Sequence, residues 1–226
     1  MGEVRKEELR IFVGYDSSEE RAFNVCAKSI LRRASQPVQI YPLRQDWLRS
    51  LGIYWRERDP NASTEFAFTR LLVPALCGYH GPALFVDADF LFLADVAELF
   101  ALYDNRYGVQ VVQHDVQPTD ATKMGGVIQT TNPRKWWSSL MLMNTGHPYV
   151  HANLTPHEVN TRSGAYLHRL EWCPDHMIGA LSPEWNYLVG YTQGVEPRAL
   201  HFTNGIRAIH GTESEFDALW EAEEKA

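Results

Sequence analysis

The sequence predicts an α/β fold built on a largely parallel sheet. Short apolar runs of strand length alternate with amphipathic stretches in the order β-α-β-α. The run Ala83 to Val86 is apolar at every position, as a strand covered on both faces must be. It ends on Asp87-Ala88-Asp89 and leads into a helix start, and open α/β sheets bind ligands at the carboxyl ends of their strands.

The elements follow in order. Leu9 to Tyr15 predicts the first strand. Ser17 and Glu20 fit a capping box opening a helix that shares Phe23, Ala27, Ile30 and Leu31 on one face. Val38 to Tyr41 predicts a second strand, closed by Pro42. Thr64 to Leu76 reads as a buried helix that Pro74 kinks or ends, because proline removes one backbone hydrogen bond. After the strand into Asp87, Asp95 and Glu98 form an Asp-x-x-Glu capping box opening a helix over Val96 to Leu102. Tyr107 to His114 and Ser138 to Met143 predict strands, Pro156 to Leu170 a helix, Pro183 to Asn186 a turn, and Arg198 to Phe202 a last strand. Residues 115–136 are long for a connection, carry little periodicity and contain Pro118, Gly125, Gly126 and Pro133. Segment 116–136 is therefore expected to order over a bound ligand, with Arg134-Lys135 closing on a diphosphate.

The chain has 226 residues, 45% of them hydrophobic, enough for one large core. No linker or repeat divides it, so residues 1–226 are read as one domain with an acidic tail, 213–226. No apolar run approaches the ~20 residues of a membrane span. Met1 to Lys6 is not followed by a signal-peptide core, and Gly2 lacks a Ser or Thr at position 6 for myristoylation. A cytoplasmic protein is expected, in which the sequons at Asn61 and Asn153 carry little weight. Cys26, Cys77 and Cys173, with no C-x-x-C pair, predict reduced core thiols. The net charge of −7 offers no overall basic footprint for nucleic acid, and Arg134-Lys135 beside Trp136-Trp137 is the only basic candidate stretch. The tail holds six acids against Lys225 and predicts a solvated, fraying helix around Phe216, Leu219 and Trp220.

Asp87 and Asp89 carry the chemistry. Two acids in apolar surroundings repel each other and are costly to desolvate, so they call for a cation, most simply a divalent metal. The bland reading is an acidic surface turn, which the strand–loop–helix context disfavours. An Asp-x-Asp phosphohydrolase places its pair on the first strand before a Gly-Thr-type turn, whereas Phe90-Leu91 follows this one. A serine hydrolase lacks its G-x-S-x-G elbow. His147, His151 and His157 suggest a metal cluster, but Pro148 and Pro156 interrupt the helix that an i, i+4 pair needs, so they are read as loop residues. Arg70 offers a guanidinium fork suited to phosphate oxygens, or a surface ion pair. Gly14, Tyr15 and Asp16 end the first strand, where a base can stack on Tyr15 and bond to Asp16; a turn role suits Asp16 equally. Trp136 and Trp137 fit a wall whose faces suit sugar rings.

Phe85 to Leu91, with Asp95 to Phe100 behind it, resembles the core motif of glycosyltransferase family 8. That family includes glycogenin and bacterial lipopolysaccharide glucosyl- and galactosyltransferases. Ile11 to Asp16, Phe68 to Leu71, Trp137 to Asn144 and His201 to Gly205 match further segments in the same order, so the resemblance spans residues 11–211. It implies a GT-A fold, a Rossmann-like nucleotide-diphospho-sugar transferase domain. It also implies metal-dependent hexosyl transfer from a nucleotide sugar, most simply a UDP-sugar, with retention of anomeric configuration. Carried onto this chain, it gives Asp87, Asp89 and His201 as metal ligands, although His201 alone would read as a core histidine beside Phe202. Mixed oxygen and imidazole ligands favour Mn2+ over Ca2+, with Mg2+ a substitute. The donor contacts implied are Gly14, Tyr15, Asp16, Arg70, Asp87, Ala88, Ser139, Gly205 and Arg207. The catalytic set implied is Asp89, Arg70 and, by rough position as a nucleophile, Asp175. Two departures stand out. Gly205-Ile206-Arg207 replaces a Gly-x-x-Lys-Pro-Trp end, and Ser138-Ser139 replaces an Asn-Ala/Ser-Gly strand motif. The acceptor stays open among a glycan, a lipid-linked glycan, a protein and a nucleic-acid base. A non-catalytic nucleotide-sugar-binding module is the alternative, separated from an enzyme by donor hydrolysis.

Overall fold

The structure, a computed structural model, describes residues 8–59, 62–116 and 133–226. Segment 117–132, which holds most of the expected lid, lies outside the described residues, as do the first seven residues and Asn61.

Strands β1 (Leu9–Gly14) and β2 (Val38–Leu43) pair in parallel across helix α1 (Glu20–Arg33). Strand β3 (Pro82–Val86) adds in parallel on the other side of β1, and all four residues from Ala83 to Val86 are fully buried, as the unbroken apolar run predicts. Helix α2 (Gln45–Ser50) follows β2, and α4 (Val96–Phe100) follows a short strand β4 (Phe90–Phe92). Strands β5 (Val109–Val112), β6 (Leu140–Asn144) and β7 (Ile178–Leu181) complete a six-stranded sheet in the order β2-β1-β3-β6-β5-β7. Only β6 is reversed, antiparallel to both β3 and β5. This reversal sets Leu140 opposite Val86, so the residues entering β6 lie beside those leaving β3, and the Asp87 amide donates to the Ser139 carbonyl at 2.9 Å. A second sheet, β4-β9-β8, pairs β9 (Ala199–His201) antiparallel to β4 and parallel to β8 (Tyr187–Leu188).

Side chains alternate across the main sheet, as the two-residue period of a strand requires. Ile11, Val13, Leu84 and Val86 face Cys26 and Ile30 of α1 and Phe90 and Phe92 of β4, whereas Phe12, Phe85 and Met141 face Phe66, Leu71 and Leu72.

Several local expectations give way to the tertiary context. Among the described residues no side chain caps α1: Ser17 donates its hydroxyl to Glu65 at 2.8 Å, and Asp16 accepts from Ser18 and Glu65 instead. Its buried face is Ala22, Val25, Cys26, Ser29 and Ile30, and Leu31 is 56% exposed. Small residues let α1 approach β4 closely, and Ser29 Oγ accepts from the Phe92 amide at 3.0 Å while donating to the Cys26 carbonyl. Strand β2 continues through Pro42, because an edge strand tolerates a residue without an N–H. The predicted helix over 64–76 is a 3-10 turn, Thr69–Leu72, leading into α3 (Val73–Leu76), with Pro74 in the first turn, where its missing donor goes unused.

Asp95 caps α4 by accepting from the Ala97 amide, but Glu98 pairs with Arg198 rather than closing a box. The helix predicted over 156–170 divides into α6 (Pro156–Thr161) and α7 (Gly164–His168), with Ser163 capping the second. Pro148 and Pro156 start short helices rather than breaking one, since α5 spans Pro148–Asn153 and His147 caps it. His151 and His157 therefore belong to helices and not to loops, whereas His147 lies outside α5 as its cap. Strand β7 depends on Gly179, where a Cβ would meet Gln110 and Tyr107 at 2.7 Å. Helix α8 (Arg207–His210) precedes α9 (Asp217–Lys225), and α9 is docked rather than solvated. Trp220 is 1% exposed, Glu223 pairs with Arg32 and Arg33, and Arg21 makes a two-pronged contact with Glu224.

Candidate metal centre

Asp87 leaves β3, Asp89 enters β4, and the buried Ala88 between them fixes their separation. The β4–β9 register sets Phe90 opposite His201, whose ring stacks on Phe90 with centroids 4.4 Å apart. A carboxylate oxygen of each aspartate and a ring nitrogen of His201 lie within 4.8 Å of one another. His201 Nε2 is 3.5 Å from Asp89 Oδ2, and its Nδ1 is 2.9 Å from Asn186 Oδ1. Arg70, 6% exposed, stands 2.8 Å from Asp87 Oδ1 and donates to the Ser138 carbonyl at 2.9 Å. Its guanidinium lies over the Phe66 and Phe85 rings, 5.4 and 5.0 Å from their centroids.

The two carboxyls differ as acids. Burial foremost, then the charge of Asp89, carries Asp87 up to about 7 despite the attraction of Arg70. Burial also acts to raise Asp89, but the nearby His201 ring, its own backbone amide and Arg70 outweigh it, so Asp89 lies below the usual carboxylate range. Asp89 Oδ1 is buried with no hydrogen-bond partner among the described residues. Two carboxyls and an imidazole converging on one point, with an Asp89 oxygen unpaired, fit a divalent cation of the Mn2+ or Mg2+ class.

The other expected residues fall around this cluster unevenly. Gly14 ends β1 with its α-carbon against the Phe66 ring, where a Cβ would come within 2.5 Å. Tyr15 packs edge-on to Phe23 with Arg44 over its ring. Asp16 is buried and holds the turn after β1, so its oxygens are already engaged. Ser139 sits within the network, donating to the Trp136 carbonyl at 2.6 Å and accepting from Asn186 at 2.9 Å. Gly205 has φ +111, a conformation other residues resist. Arg207 opens α8 and leans toward Glu213 and Asp217 at 3.8 and 3.9 Å. Asp175 is not brought to the cluster. Its side chain is 83% exposed and pairs with Arg134 at 2.6 Å, and it precedes the amino end of β7, whereas Asp87 leaves the carboxyl end of β3.

Asn186 joins the site although the sequence predicts only a turn at that position. The signal available was a polar amide directly after Trp185, a residue bound for the core. His114 also lies near: burial first, then His201, holds its imidazole down at about 4.

With a mixed sheet of this order and an Asp-x-Asp-His cluster at its carboxyl edge, the fold is that of the GT-A glycosyltransferases. The chain superposes on the apo form of glycosyltransferase GlyE from Streptococcus pneumoniae TIGR4 with a TM-score of 0.62 and 15% identity, over 98% of this chain and 61% of that one. It superposes on galactosyltransferase LgtC, solved with donor and acceptor sugar analogues, with a TM-score of 0.61 and 10% identity, over 96% and 95% of the two chains. For mouse xyloside xylosyltransferase 1 the TM-score is 0.55 and the identity 13%, over 88% and 100%. This chain thus spans about three fifths of GlyE and nearly all of LgtC. No protein-family model matches the chain. Protein CDI of Arabidopsis thaliana is 47% identical over 226 residues, covering 97% of this chain and 87% of that protein, and the chain belongs to the Protein CDI family. Among the described residues, no helix is long and apolar enough to cross a membrane.

Proposed function

We propose that this protein is a metal-dependent glycosyltransferase of the family 8 type, moving a sugar from a UDP-sugar donor with retention. The convergence of Asp87, Asp89 and His201 beside a buried arginine carries this reading. Those three residues would hold Mn2+, or Mg2+ in its place. The ion supplies a Lewis acid for the charge that gathers on the departing diphosphate.

The chain's own residues do the rest. Arg70 keeps Asp87 aimed at the site and adds fixed positive charge where phosphate arrives. Gly14 and Tyr15 form the base end of the pocket, with Asp16 holding their turn. Ala88 and Ser139 flank the sugar end, and Gly205 with Arg207 closes the phosphate side. Asp175 has no part in this proposal, because its exposed side chain is engaged by Arg134.

Incubation with a panel of UDP-sugars tests the reading. Release of UDP from at least one donor is expected with Mn2+ and not with EDTA. Asp89→Asn should lower that rate on the order of 100-fold, since several kcal/mol of transition-state stabilisation is lost. Mn2+-dependent donor binding without turnover, even with hydroxyl-bearing acceptors added, would instead favour a binding module.

A further inference from the structure

We propose that Asn186 is a positioning residue that fixes the His201 ring so that Nε2 presents its lone pair to the ion; this rests on the metal reading above. Ser139 Oγ donates its single proton to the Trp136 carbonyl at 2.6 Å, so toward Asn186, 2.9 Å away, it can only accept. The Asn186 group facing it is therefore the NH2, which also points to the Trp136 carbonyl at 3.4 Å. That orientation turns Oδ1 to His201 Nδ1 at 2.9 Å, and an acceptor there requires the proton on Nδ1. A neutral ring protonated on Nδ1 is bare on Nε2, the nitrogen that faces Asp89 at 3.5 Å.

Asn186 is 0% exposed, so water does not substitute for it. The same amide also joins the two halves of the cluster. Ser139 receives the Asp87 amide through its carbonyl, and His201 arrives on β9, so Asn186 ties the turn before β6 to the strand carrying the imidazole. Outer partners of this kind set ligand orientation, and their loss costs about 10–100-fold in metal affinity.

Nitrogen-15 NMR of histidine-labelled, metal-free full chain at alkaline pH, where imidazole is neutral, reads the tautomer directly, with His201 assigned by His201→Gln. Mn2+ affinity is measured in parallel by calorimetry. Wild type should carry the proton on Nδ1. Asn186→Leu should lose that preference and weaken Mn2+ about 10–100-fold. Asn186→Asp, which keeps the acceptor, should retain the tautomer and recover most of the affinity. An Nε2-protonated ring in a wild type that binds Mn2+ overturns the assignment alone, and so does undiminished Mn2+ affinity in Asn186→Leu. A wild type that binds no Mn2+ overturns the metal reading instead. Should Asn186→Leu fail to fold, the wild-type spectrum still decides.

Discussion

Asp87 and Asp89 are separated by a single alanine and yet differ as acids: burial and the charge of Asp89 hold Asp87 up against the pull of Arg70 and His201, whereas at Asp89 the His201 ring, its own backbone amide and Arg70 outweigh burial. The consequence is a dependence on pH. The folded Asp87 carboxyl titrates near 7 and the unfolded one near 3.8, so between these values the native state holds more protons and the metal-free protein loses stability as pH rises. A divalent ion competes for the same oxygens and removes that penalty. The rise in Tm on adding Mn2+ is therefore expected to be larger at pH 8 than at pH 6, read by thermal shift; an equal rise would contradict the role given to Asp87. Arg70 lowers the Asp87 value, so Arg70→Leu should move the pH midpoint of Mn2+ binding upward, which calorimetry across pH detects. Arg70→Lys should fall between the two, since an ammonium keeps the charge and loses the planar fork.

At the scale of elements, α9 makes the clearest prediction. Trp220 fills a buried site against α1 and lies near Arg21, so Trp220→Ala should cost about 3–5 kcal/mol in denaturant unfolding. A loss below about 1 kcal/mol would mean that α9 is not docked in solution. Asp95→Ala should cost about 1 kcal/mol, the usual worth of an N-cap. The elements also show what a pattern can convey. The apolar run of β3, its terminal acids and the Asp95 cap were legible because each depends on near neighbours in sequence. The face of α1 was legible only in part, at Phe23 and Ile30, because Ser29 belongs to it through a hydrogen bond to Phe92, 63 residues away. Pro74 signalled an interruption correctly but not its form, a 3-10 turn passing into a short helix. The docking of α9 is not legible locally, because its acids have partners, Arg21, Arg32 and Arg33, that lie 190 to 203 residues earlier. At the site, Asp87 and Asp89 could be read from composition. His201 needed the family resemblance, and Asn186 needed the fold.

Across the whole molecule, two sheets meet at one loop. Strand β3 delivers Asp87, β4 takes up from Asp89, β9 returns antiparallel to β4 with His201, and the reversed β6 brings Ser138 and Ser139 alongside. No local segment contains this arrangement, so the site exists only when both sheets are formed. A chain built this way should bind a nucleoside diphosphate weakly by itself and well with an ion that bridges its phosphates to the cluster. Calorimetric titration of UDP into the protein, with Mn2+ and then with EDTA, tests that most directly. The account predicts far tighter binding with Mn2+ and loss of the difference in Asp89→Asn. Equal affinity with Mn2+ and with EDTA would contradict it.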